Sequence, residues 1–170
     1  MAPSPNPDWR LFWFAPETIT IGRLVSRSPN IEMISADSGA YLLAIDLARE
    51  MTLDISTLSP LMLPAGRYIY CGSAYGPGGI KARVARHLRQ DKSLRWHVDR
   101  LTLGGRVSQV AALIGGSECT LMAGLCALPG VSVPVLNFGS SDCRTCPAHL
   151  AAVPNKFDIE EFVSGFRSPT

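Results

Sequence analysis

Between residues 67 and 100 the chain concentrates side chains that could act on a phosphodiester: Tyr70, Arg83, His87, His97 and a run of further basic residues. Such hydrolysis needs an activated water, a stabiliser of phosphoryl charge and help for the leaving oxygen. Arg83 offers a planar fork of donors matched to phosphate oxygens. His87 or His97 can move protons near neutral pH. A tyrosine is a poor base at its usual pKa of about 10. A bound metal and a nearby guanidinium would favour its phenolate.

The elements that must position these groups follow from local pattern. Residues 67–72, after Pro64-Ala65-Gly66, are predicted as a strand with Tyr68 and Tyr70 on one face and Ile69 and Cys71 on the other. Gly72-Ser73-Ala74 closes it with small residues, and Gly76-Pro77-Gly78-Gly79 makes a turn. A helix is predicted over 80–90, with Ile80, Val84 and Leu88 as its core stripe. Arg83 and His87 stack on one of its faces, at the edge of that stripe, where side chains line a cleft. A second helix is predicted over 93–103, with Ser93 as cap, Leu94, Val98 and Leu101 in the core and His97 beside them.

Elsewhere, residues 39–48 alternate so that both faces of a strand are covered: Tyr41, Leu43, Ile45 and Leu47 on one, Leu42, Ala44, Asp46 and Ala48 on the other. Further strands are predicted over 52–58, over 107–114 as a third central strand, and over 150–153. Ser117 caps a helix over 118–128, and Asp158 to Phe166 reads as a terminal amphipathic helix. Glu118 is then either a favourable first-turn acid or a metal carboxylate. The expected fold class is α/β, with a small, central, mostly antiparallel sheet flanked by helices. An N-terminal extension (1–36), partly mobile, precedes a domain over 37–155, and a C-terminal helix and tail follow over 156–170. The aromatic run from Trp9 to Phe14 either packs onto the domain or meets bases or a partner.

A hydrophobic content of 46% excludes a mainly disordered chain. The net charge of +2 says little about partners, but its distribution says more. Residues 81–106 carry eight of the sixteen basic side chains, opposed only by Asp91 and Asp99. That stretch is either a solvated helix face or the footprint of a polyanion such as nucleic acid. No segment approaches the roughly 20 apolar residues of a membrane span, and no signal peptide is visible. Five cysteines, an odd number, suit reduced thiols in a cytoplasm. Cys143, Cys146 and His149, joined by Cys119, could complete a four-ligand zinc site. Alternatively Asp142 and His149 sit at an active-site rim, contacting phosphate or orienting water, or the segment is a polar turn.

The ordered pattern resembles the GIY-YIG nuclease superfamily. Gly39-Ala40-Tyr41 matches its first half-motif and Tyr70-Cys71-Gly72 its second. The chain is more closely similar to an uncharacterised branch found alone or fused to archaeal endonuclease III. The shared features are Gly72-Ser73-Ala74, Arg86-His87, Trp96-His97 with Asp99, Glu118-Cys119, and Gly139 to Cys143 with His149-Leu150. This resemblance spans roughly residues 38–153. It implies a catalytic group of Tyr41, Tyr70, Arg83 and Glu118. His87 takes the family's helical His/Tyr position, and His97 fits a second histidine seen in some members. Glu118 would be the ligand of Mg2+ or Mn2+. Ser73, Lys81, Arg86, Arg89, Arg95 and Arg100 are the candidate nucleic-acid contacts. The expectation is a metal-dependent endonuclease acting on DNA in preference to RNA, in DNA repair or processing. The alternatives are a non-catalytic nucleic-acid binding module and a zinc-stabilised interaction domain.

Overall fold

Apolar residues on both faces of 39–47 make a strand that is dry on either side, and it becomes an inner strand of the sheet. The computed structural model describes residues 30–166. After a 3-10 turn (Ile31–Met33), the elements are β1 (Gly39–Leu47), β2 (Met51–Leu53), β3 (Leu61–Leu63), β4 (Gly66–Ala74), α1 (Gly79–Leu88), α2 (His97–Gly104), β5 (Arg106–Ile114), α3 (Glu118–Cys126), β6 (Leu150–Val153) and α4 (Ile159–Ser164). Four strands form one sheet in the order β5-β1-β4-β6, every pair antiparallel, while β2 and β3 make a separate hairpin. The fold is α/β, a small antiparallel sheet flanked by helices.

Each sheet face carries its own core. On one, Tyr41, Leu43, Ile45, Tyr68 and Tyr70 pack with Ile80 and Val84 of α1 and Val98 and Leu101 of α2. On the other, Leu42, Ala44, Ile69 and Cys71 meet Leu121, Met122 and Leu125 of α3 and Ile159 and Val163 of α4. The result is three layers, and each fully buried aliphatic side chain contributes about 1.5–3 kcal/mol. Asp46 and Arg67, directly opposite in the ladder, are joined by bonds of 2.7 and 3.1 Å, which fixes the β1–β4 register at its outer end.

Several local expectations change. The strand predicted over 52–58 stops at Leu53, because the backbone turns at Ile55–Leu58 ahead of Ser59-Pro60. α2 starts at His97, not Ser93, and Leu94 is exposed. The Asp99 carboxylate accepts from the backbone N–H groups of Arg95 and Trp96, which sets the first turn there. β5 is an edge strand, not a central one. Ser117 does cap α3, its hydroxyl accepting from Cys119 N–H. Ile34, ahead of the expected domain boundary, is buried in the first core. Trp9 to Phe14, and the proline-rich start, lie outside the described residues. No helix among the described residues is long and apolar enough to cross a membrane.

Candidate active site

The β1–β4 ladder brings the two half-motif tyrosines together. Tyr41 lies opposite Gly72 and Leu43 opposite Tyr70, so both phenol rings stand on one face with centroids 6.4 Å apart. The Tyr41 ring lies across Gly72, where a Cβ would sit only 2.1 Å from Tyr41 Cζ. Only glycine at 72 leaves room for that ring. Gly139 adopts φ of +70°, and a Cβ there would fall 2.8 Å from Tyr70 Cε2.

Both rings open into a cleft of about 520 Å3 that also takes in Ser73, Arg83, Arg95, Trp96, His97, Glu118 and Asp142, together with Cys119, Cys143 and His149. Residues from both half-motifs, from α1 and from the start of α3 therefore meet in one place. Arg83 is half-buried and its guanidinium lies 4.5 Å from the Trp96 ring centre. It has no hydrogen-bond acceptor or ion-pair partner among the described residues. Glu118, half-buried in the first turn of α3, likewise has no hydrogen-bond donor among them.

His87 does not line the cleft. It is buried beneath it, with Nε2 2.7 Å from the Tyr41 hydroxyl. Its Nδ1 is 3.8 Å from Asp99 Oδ1, too long for a hydrogen bond, and has no other partner. The helical edge position expected for His87 is covered, because Trp96 packs on the ring at 5.4 Å. Burial lowers the His87 pKa, with Asp99 opposing, so the neutral ring is favoured. A proton on Nδ1, toward Asp99, leaves Nε2 to accept from Tyr41.

Asp99 is fully buried, and burial opposes its charge. Its donors prevail: Arg86 grips both oxygens at 2.8 and 3.0 Å, the Arg95 and Trp96 N–H groups add two more bonds, and the carboxyl is held well below the usual range. His97 lines the cleft with both ring nitrogens engaged. Its Nδ1 accepts from Gly139 N–H at 3.0 Å, so Nε2 carries the proton toward Thr57 Oγ1 at 3.2 Å. Burial, then Arg100, lowers its pKa.

Burial opposes the phenolate expected beside a bound metal and a guanidinium, and the protein's own groups leave the proton in place. Burial raises Tyr41 well above its ordinary value, with Tyr70 adding to the rise, and burial also raises Tyr70; Arg83 offsets this only in part. Both are neutral phenols. Of the expected nucleic-acid contacts, Ser73 and Arg95 face the cleft. Lys81 pairs with Glu32, Arg86 with Asp99 and Arg89 with Asp91, while Arg100 donates to Asp54 O, and none of these four lines it.

Cys119, Cys143, Cys146 and His149 place four donor atoms within 4.8 Å of one another and could hold a metal ion. Hydrogen bonding from Thr145 pulls the Cys143 thiol down to about 5, while burial and the neighbouring sulfurs push Cys146 up to about 12. The stacking of Arg83 and Arg86 on Trp96 is not foreshadowed by residue pattern, because it depends on where the segment after α1 places the ring.

A family model described as a domain of unknown function, DUF123, matches residues 40–168. The chain belongs to the DUF123 family. No curated protein and no solved structure matches it. In this DUF123 domain the matched stretch contains every cleft residue named above, from Tyr41 to His149.

Proposed function

We propose that the DUF123 cleft hydrolyses phosphodiester bonds with metal assistance, in the manner of the GIY-YIG nucleases, and acts on DNA in preference to RNA. The observation that carries this reading is the meeting of Tyr41, Tyr70, Arg83 and Glu118 in one cleft from distant parts of the chain. Glu118 and Asp142 are the oxygen donors there for Mg2+ or Mn2+, whose chemistry in such a cleft is screening of phosphoryl charge and acidification of water. Arg83, with no acceptor of its own among the described residues, grips two phosphoryl oxygens in parallel. Trp96 holds that guanidinium flat.

As a neutral phenol Tyr41 must borrow basicity. Its hydroxyl proton can pass to His87 Nε2 as the phenol oxygen takes one from the attacking water. The resulting imidazolium would face the Asp99 carboxylate. Tyr70 donates its hydroxyl proton in a hydrogen bond to the substrate phosphate.

The test is cleavage of nicked, branched and single-stranded DNA with Mg2+ or Mn2+ by purified variants. Arg83→Ala and Glu118→Ala should each lower cleavage by about 10²-fold or more while circular dichroism stays unchanged. Undiminished cleavage by both variants would overturn the assignment. A salt-sensitive gel shift with no cutting under any metal would replace it with the binding-module reading.

A further inference from the structure

The phosphodiester chemistry proposed above uses none of the sulfur groups of the cleft. Cys119 comes from the first turn of α3, Cys143 and Cys146 from the following loop, and His149 from the residue before β6. Cys119 Sγ is 3.6 Å from Cys143 Sγ and 3.9 Å from His149 Nε2. A tetrahedral zinc ion, with bonds of about 2.3 Å to sulfur and about 2.0 Å to nitrogen, sets ligand–ligand edges of about 3.8 Å for S–S and about 3.5 Å for S–N. The two measured edges agree with this to within about 0.4 Å, and the remaining pairs, all within 4.8 Å, need shifts of at most about 1.0 Å for S–S and about 1.3 Å for S–N.

We propose that Cys119, Cys143, Cys146 and His149 bind one zinc ion in a closed tetrahedral site that pins the 139–149 segment to the start of α3. Three thiols and an imidazole select zinc over Mg2+, which prefers oxygen. Four protein ligands leave no open position, so the ion is structural. Two further contacts hold the donors in place. Cys146 N–H donates to Cys143 Sγ at 3.3 Å, the outer-shell support that a thiolate ligand takes. His149 is held on both sides of its backbone, its N–H donating to Phe138 O at 2.8 Å and its carbonyl accepting from Cys71 N–H at 2.9 Å.

Such a cross-link would add to the backbone bonds that already hold the segment ahead of β6, Ser132 with Ala152 and Asn137 with Pro147 among them. From Ala127 to His149 the chain carries neither helix nor strand. Connections beyond about 15 residues without their own structure are uncommon in compact domains. A disulfide between Cys119 and Cys143 would use two of the four groups and strand the others, and all four described thiols outside the sheet core are free. Because Glu118 directly precedes Cys119, the same ion would hold the cleft carboxylate in place. The site stands whether or not the cleft is a nuclease.

The experiment is elemental analysis of the untagged full chain, with cobalt substitution. One zinc per chain is expected, and the cobalt form should show thiolate-to-metal charge transfer with tetrahedral d–d bands. Cys143→Ser/Cys146→Ser should carry no zinc, whereas Cys126→Ser, altered at an exposed thiol away from the cluster, should retain one. Should the double variant fail to fold, titration of the wild type with a mercurial decides the matter. Zinc release in step with three thiols supports the site. A folded wild type with no zinc and all three thiols reactive, before and after incubation with zinc, overturns it, as does a stoichiometric metal retained by the double variant.

Discussion

Arg83 and Arg86 are three residues apart on α1 and both approach Trp96, yet they do different work. Arg86 is committed to buried Asp99, which leaves Arg83 to face the cleft. The charge pattern alone makes them equals; the distinction comes from where α2 puts its acid. The two histidines are likewise set apart by their surroundings. His87 supports Tyr41 from below, and His97 ties α2 to Gly139. Both have pKa values lowered by burial, so the unfolded chain, titrating near about 6.5, binds protons first. Stability should therefore be complete above about pH 6.5 and fall as the pH drops through the two folded values. Thermal unfolding across pH measures this. His97→Asn, which keeps an acceptor for Gly139 N–H, should flatten the decline. An equally steep decline in that variant would remove His97 from the account.

At the scale of elements, the two central strands work as a pair because a ring on one crosses a bare backbone on the other. Gly72→Ala should cost about 1–3 kcal/mol by overpacking. In a Tyr41→Ala background, where the ring is gone, most of that cost should disappear, giving a coupling of about 1 kcal/mol or more. Urea unfolding of the four proteins measures the cycle, and additive effects would contradict the packing. The inner strand β1 was legible in the sequence because a run apolar on both faces over 39–47 needs no partner to be recognised. The position of β5 was not, since strand order rests on pairing between distant segments. Nor was the start of α2: its cap is Asp99 reaching back to amides outside the helix, held there by an arginine from another helix. Cys119 could be proposed as a fourth ligand from the sequence, but its distance to Cys143 depends on the path of the loop between them.

Across the whole molecule, the basic stretch over 81–106 is not a uniform footprint. Lys81, Arg86, Arg89 and Arg100 spend their donors on protein acceptors, while Arg83 and Arg95 keep theirs for the cleft. Under the proposed nuclease reading, nucleic-acid affinity should therefore depend on salt through few phosphates. The double variant Arg83→Ala/Arg95→Ala should flatten the plot of log affinity against log salt by about 1.8, or about 0.9 for each phosphate no longer neutralised. An unchanged slope would place the nucleic acid elsewhere. The Asp99 carboxylate has a reach beyond its ion pair. It accepts from the Arg95 and Trp96 amides, in a stretch with neither helix nor strand, at 2.8 and 2.9 Å. In deuterium-labelling experiments these two amides should exchange as slowly as those inside α2, and Asp99→Asn should release them: an island of slow isotope uptake within an irregular segment.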